Sequence, residues 1–286
     1  MKLMGILGPR GTHSEAAAVY LNEIIDEPLE LIIYQEIYDV LIAVENGEVN
    51  AGFVPVENSL EGSVNITLDT LARSDNLIVT RELIWSVHNH LMTKPGIDAS
   101  QIKKIFSHSQ PISQCRKYLQ KNFSTAKTFT TSSTAKAAEI VAESKISDGY
   151  AAICTKRAGE LNNLVTIADE IQDNMLNSTR FFEIRRRNED FQIDSPKDKI
   201  LIICQIDGEH AGALCEVLEE FAFRNVNMTR IESRPARTKL GEYIFFFDLD
   251  TNIDQNILNE SIAAVKQKSI WLKNLGSFPV IIANNK

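Results

Sequence analysis

The chain has 286 residues, 44% hydrophobic and 24% charged, which is enough for about two domains with cores of their own. A net charge of -8 excludes nucleic acid and anionic membrane as partners, and it requires any site for an acidic ligand to work through local donors rather than the field of the whole molecule. No apolar run approaches a membrane-spanning length, and Met1 to Leu7 is too short and too soon broken by Gly8 and Pro9 for a secretory signal, so the reading is cytoplasmic.

In chain order, the apolar run Leu3 to Leu7 predicts a strand, Gly8 to Gly11 a turn, and Ala16 to Leu21 a helix that Thr12 or Ser14 would cap. Further strands are predicted at Leu29 to Ile33, Ala51 to Val54, Lys104 to Phe106 and Ala151 to Ile153, alternating with helices at Val40 to Glu45, Ile112 to Gln120 and Thr134 to Glu143. That alternation is an α/β pattern. Asn76 to His90 and the return near Leu164 to Ile171 exchange the chain between two lobes and leave a cleft between them. The polar stretch 185–197 reads as a linker, with Arg185, Arg186 and Arg187 as a solvated strand end and Asn188 to Asp190 and Ser195 to Lys199 as its charged continuation.

Residues 198–286 give a strand at Ile200 to Ile206, a helix at Ala211 to Phe223, strands near Asn227 to Ser233 and Glu242 to Asp250, a helix at Asp254 to Lys268 and a last strand near Trp271 to Ile281. The order βαββαβ predicts a ferredoxin-like module. Cys115, Cys154, Cys204 and Cys215 lie far apart or in apolar runs without a Cys-x-x-Cys spacing, which predicts reduced core thiols. His88 and His90 suit a strand with both rings on one face; with no acidic or cysteine partner at metal spacing nearby, no metal site is expected.

Four polar segments stand where apolar strands end: Gly8 to Glu15, Val54 to Ser63, Ser107 to Cys115, and Asn177 to Phe181. Strand ends that converge in an α/β sheet line one cleft. Within these segments Thr179 offers a hydroxyl, Arg180 a two-donor fork for a carboxylate, and Glu57 with Asn58 a neighbouring acid and amide.

The ordered set GPRGTHSE, VPVENSLEGS, SHSQPISQC, SSTAKAA (Ser132 to Ala138) and NSTRFFEI resembles prephenate dehydratase, from near Met1 to about Ile184. Gly212 to Leu218 and Glu232-Ser233-Arg234-Pro235 resemble the ACT-type regulatory domain that follows the catalytic part in that family. Two positions depart from the pattern: His13 stands where the family often has an aromatic residue, and Ser109 where it often has proline. The resemblance implies a type II periplasmic-binding-protein-like catalytic domain at 1–184, a linker at 185–197 and a regulatory domain at 198–286. The first motif begins at Gly8, and the accompanying expectation is that no chorismate mutase is fused ahead of it.

The implied reaction is elimination from prephenate, in which carbon dioxide and hydroxide leave opposite ring carbons to give phenylpyruvate in phenylalanine biosynthesis. Aromatisation drives it, so no cofactor is expected. Thr179 is the expected proton donor or hydrogen-bonding stabiliser of the leaving hydroxyl, with Glu57 as rival acid. Arg180, with Phe181 beside it, would bind a carboxylate; Asn58, Ser107, Gln114, Thr12, Ser14, Ser133 and Thr134 would orient the rest. Phenylalanine is the expected effector, at Gly212, Ala213 and Leu214, where exposed helix amides could meet its carboxylate, and at Glu232, Ser233, Arg234 and Pro235. A homodimer or homotetramer is expected, because such regulatory domains usually pair. Two other readings stay open: a non-catalytic amino-acid sensor, against which Thr179 beside Glu57 and Asn58 argues, and arogenate dehydratase.

Overall fold

The computed structural model describes residues 2–187, 196–208, 211–239 and 241–283. Most of the expected linker, including Asn188 to Asp190 and Ser195, and His210 at the expected helix entrance therefore lie outside the described residues. The first lobe is built from β1 (Leu3–Leu7), α1 (His13–Ile24), β2 (Glu30–Tyr34), α2 (Ile37–Asn46), β3 (Ala51–Asn58), β4 (Gly62–Ser63), α3 (Asn65–Arg73) and β5 (Leu77–Ser86). The second lobe follows as β6 (His90–Thr93), β7 (Lys104–Ser107), α4 (Ser109–Gln114), α5 (Arg116–Asn122), β8 (Lys127–Thr130), α6 (Thr134–Glu143), β9 (Tyr150–Cys154), α7 (Lys156–Leu161) and β10 (Val165–Ala168). The chain returns to the first lobe in β11 (Ser178–Arg186). It then forms β12 (Lys199–Ile206), α8 (Ala213–Ala222), β13 (Met228–Pro235), β14 (Tyr243–Asp250), α9 (Gln255–Gln267), β15 (Ser269–Phe278) and β16 (Val280–Ile282).

The first lobe carries a seven-stranded sheet in the order β16-β5-β11-β3-β1-β2 with β4 paired to β3, and the second a five-stranded sheet ordered β10-β6-β9-β7-β8. Met4, Ile6, Phe53 and Val54 are fully buried, as continuous apolar strands covered on both faces should be. This is the expected two-lobed α/β arrangement. The actual crossings differ from the segments read from the sequence: Val87 to Asn89, leading out of β5, is much shorter than Asn76 to His90, and Asp169 to Asn177, leading back into β11, begins further along the chain than Leu164 to Ile171, of which Val165–Ala168 forms β10. Among the described residues no helix is long and apolar enough to cross a membrane.

The C-terminal module has the expected βαββαβ order, with its strands arranged β13-β14-β12-β15, all antiparallel. One face of this sheet holds α8 and α9 through Val217, Phe221, Leu258 and Val265 against Ile202, Cys204, Phe247 and Leu249. The other face carries Leu201, Ile203, Ile244 and Phe246, which share one core with Val54, Phe182 and Ile184 of the large sheet. The two sheets thus pack face to face through one shared apolar core.

Three local expectations change. The helix expected over Ile112 to Gln120 breaks at Cys115, because the Asp173 carboxylate accepts from the amides of Lys117 (3.0 Å) and Tyr118 (3.3 Å) and so starts a second helix. The last strand divides at Pro279, which has no N–H to continue a ladder; its carbonyl accepts from Glu82 N at 3.0 Å, and β16 then pairs in parallel with β5. Residues 280–282 therefore belong to the sheet of the first lobe. Cys115, Cys154 and Cys204 are buried thiols as read, but Cys215 is exposed, on the solvent side of α8.

Candidate active site

The strand pair β3 and β11 sets the site. Their register places Thr179 opposite Asn58 and Arg180 opposite Glu57, with a bulge before Phe181. Side chains alternate between the faces of a strand, so Thr179 and Arg180 point opposite ways. Thr179 and Asn58 line a cleft of about 380 Å³ together with Ser14, Ser63, Gln114, Asn177 and Phe181. Phe181 closes its floor, stacked on Phe53 with ring centroids 5.0 Å apart.

Asn58 Nδ2 donates to Thr179 Oγ1 at 2.9 Å and to Asn177 Oδ1 at 2.9 Å. The orientation of its amide is fixed independently, because Oδ1 accepts from the backbone amides of Leu60 (3.0 Å) and Glu61 (3.1 Å). Since Thr179 Oγ1 accepts from Asn58, its own O–H is left to donate elsewhere. Gln114 Oε1 accepts from Asn177 Nδ2 at 3.2 Å and from Asn89 Nδ2 at 3.5 Å, extending a network of neutral amides along the cleft. His13 also lines it. Trp85 Nε1 lies 3.3 Å from His13 Nδ1, which places the ring proton on Nε2, and burial pushes the imidazole down to about 4.

The opposite face of the same strands is ionic. Arg180 donates from Nη1 to Glu57 Oε2 (2.9 Å), from Nε and Nη2 to Glu82 (3.0 and 2.7 Å), and from Nη2 to Asp248 Oδ2 of β14 (2.5 Å). Arg180, expected as a substrate-binding fork, is placed among three carboxylates that take four of its five N–H donors, and it is not among the residues that line the cleft. Glu57, expected as the rival acid, is likewise held by Arg180 and by Arg230 Nε at 3.1 Å, and it is not among the residues that line the cleft.

Other expected cleft residues are spent on structure. Thr12 Oγ1 caps α1, accepting from Glu15 N at 3.4 Å, and donates to Pro9 O at 2.9 Å. Ser133 caps α6, accepting from Lys136 N at 3.0 Å, and Thr134 is buried in its first turn. Ser107 is fully buried and donates to Ile153 O at 2.7 Å. None of these four lines the cleft, whereas Ser14 and Gln114 do. His13, Asn89, Gln110 and Asn177 line it and were not among the candidate site residues; His13 was noted only as a departure from the family pattern, and Asn177 stood two residues before Thr179 in the same motif.

At the C-terminal module, Gly212 sits in the left-handed region (φ 94°) just before α8, Ala213 is buried, and Leu214 packs partly buried against the helical core. The register Gln205–Ile244–Arg234 brings the entrance to α8 and the Glu232 to Pro235 segment to one end of the sheet. On β13, Ser233 and Pro235 are exposed, while Glu232 and Arg234 face the first lobe; Arg234 donates to Asp69 of α3 at 3.2 and 3.4 Å.

The family model for prephenate dehydratase matches residues 4–189. A prephenate dehydratase from Methanocaldococcus jannaschii is 37% identical over 95% of this chain and 96% of its own length. Among solved structures, the prephenate dehydratase of Arthrobacter aurescens in complex with L-Phe superimposes with a TM-score of 0.85 at 32% identity, covering 98% of this chain and 90% of that one. The prephenate dehydratase of Staphylococcus aureus subsp. aureus Mu50 gives 0.82 at 30% identity, covering 97% and 100%. A cleft in which a neutral amide holds the hydroxyl of Thr179, in a chain matched along nearly its whole length, belongs to a member of the prephenate dehydratase family.

Proposed function

We propose that Thr179 is the group that receives the departing hydroxyl of prephenate, and the observation that carries this is its bond from Asn58, which directs its own proton into the cleft. As the ring carboxylate breaks away as carbon dioxide, its electron pair enters the ring. The bond to the opposite hydroxyl then breaks, and the oxygen leaves as water with a proton shared from Thr179, which solvent replaces. A threonine is a weak acid, so its part is to hydrogen-bond charge as it develops. The neutral donors left in the lining, from Ser14, Gln114 and Asn177, suit a carboxylate whose charge must disperse; a cation there would hold the ground state too tightly.

The C-terminal module is read as an ACT-type regulatory domain, with phenylalanine bound near Gly212, Ala213 and Leu214 and the exposed Ser233 and Pro235. The L-Phe complex of the Arthrobacter relative supports that reading. Feedback by phenylalanine, assembly into a homodimer or homotetramer and a cytoplasmic location complete it. The test is purified protein given prephenate and, separately, arogenate, with no added cofactor. Phenylpyruvate from prephenate, suppressed by phenylalanine, is the expected result; aromatisation of arogenate alone would replace the substrate, and a monomer by light scattering with phenylalanine present would remove the assembly.

A further inference from the structure

The ionic face behind Thr179 and Asn58 is completed from the C-terminal module. Arg230 of β13, with only 8% of its side chain exposed, places Nε 3.1 Å from Glu57 Oε2 and donates from Nη2 to Ser63 Oγ at 3.0 Å. Ser63 lines the cleft, and it is the end of the short hairpin that carries Asn58: β4 pairs with β3 only through Glu57 with Ser63 and Asn58 with Gly62. The amides that fix Asn58 come from that same turn, at Leu60 and Glu61. Leu60 is 45% exposed; the turn is tied at its β3 end through Ser59, whose N donates to Ser178 O at 2.9 Å and whose Oγ accepts from Ser178 N at 3.0 Å, while its β4 end has the short ladder and Val64 N, which donates to Val56 O at 2.7 Å. A two-residue ladder is a weak anchor for a group that must aim a hydroxyl.

We propose that Arg230 is a positioning residue of the dehydratase cleft: by gripping Glu57 on one strand and Ser63 on the other, it locks the β3–β4 turn and with it the Asn58 amide that orients Thr179. The C-terminal module is in this respect part of the active site, whatever effector it binds. The proposal rests on the reading that the Thr179 cleft is where the reaction takes place.

The test is steady-state kinetics on the full chain with prephenate, well below each variant's melting temperature, for Arg230→Gln, Arg230→Lys and, in parallel, Thr179→Ala. Arg224→Gln, which removes a surface pair with Glu220 in α8, is the distant control. Arg230→Gln is expected to lower kcat roughly ten- to hundredfold with KM nearly unchanged, the signature of a misaimed group. Arg230→Lys, which keeps the charge beside Glu57 but loses the fork, should recover part of that loss, and it serves alone if the Gln variant does not fold. Wild-type kcat in a folded Arg230 variant, with Thr179→Ala inactive, overturns the proposal and leaves the cleft reading intact. A fall in melting temperature without a selective loss of kcat also overturns it, as a purely structural role. Full turnover in Thr179→Ala removes the cleft reading and the proposal with it.

Discussion

Asn58 and Thr179 face each other across the β3–β11 ladder with Nδ2 2.9 Å from Oγ1, and this contact makes the threonine an acceptor on one side and a donor on the other. Thr179→Ala should fold normally and lose about 10² to 10⁴ in kcat, the usual worth of a positioned proton-transfer group. Thr179→Ser should keep most activity. Asn58→Leu should lower kcat while leaving KM closer to normal; unchanged turnover in both Thr179→Ala and Asn58→Leu would move the chemistry away from this pair.

Arg180 is expected to report on stability rather than on substrate binding. Glu82 and Asp248 are fully buried, and Arg180→Ala takes the cation from Asp248 while leaving Glu82 with Lys199 Nζ at 3.2 Å, at a cost of about 3–5 kcal/mol for the broken buried pair. Urea denaturation of Arg180→Ala and Arg180→Lys measures this. A raised KM with undiminished stability would return Arg180 to the substrate.

Truncation after Arg187 should yield insoluble protein. The cut removes the sheet that covers Val54, Phe182 and Ile184, and it also takes β16 from the edge of β5. Soluble yield and light scattering of the fragment are the measurements, and a monodisperse, active fragment would contradict the shared core.

His13 predicts a pH dependence. Burial holds its folded pKa near 4, below the ordinary 6.5, so between those values the unfolded chain binds the extra proton. Its contribution to stability is complete above about pH 6.5 and is lost as pH falls toward 4. His13→Phe should flatten this part of the stability profile; an identical slope in the variant would assign the dependence to other groups.

Gly212 and Leu214 separate effector binding from backbone strain. At φ 94° a valine in place of Gly212 would be strained whatever room surrounds it, so a loss of phenylalanine inhibition in Gly212→Val alone has two explanations. Leu214→Asp avoids the strained position and should abolish inhibition with activity intact. Inhibition at unchanged phenylalanine concentration would place the effector elsewhere.

Much of this arrangement was legible because strand ends and helix starts carry their own chemistry. The alternation of apolar runs and caps gave both lobes, and Thr179, Asn58 and Gln114 come together from three separated motifs. Arg180 and Glu57 were misplaced although the signal was present: in a strand, neighbours of Thr179 and Asn58 must face the other way. What faces that side, Asp248 and Arg230, lies dozens of residues downstream, and no local pattern announces a long-range ion pair. Thr12 and Ser133 have the right residue type in the right place, but a hydroxyl at a helix entrance is as readily used on the helix itself. Pro279 was the sign that the last strand divides, and only tertiary pairing shows where its second half goes.

The pairing of β16 with β5 turns the C-terminal module from an appendage into an insertion, since the polypeptide leaves the large sheet at Arg186 and rejoins it at Val280. A sheet that begins at Leu3 is therefore not finished until residues 280–282 have been made. During synthesis the sheet that carries the cleft cannot be complete before the module behind it has been made.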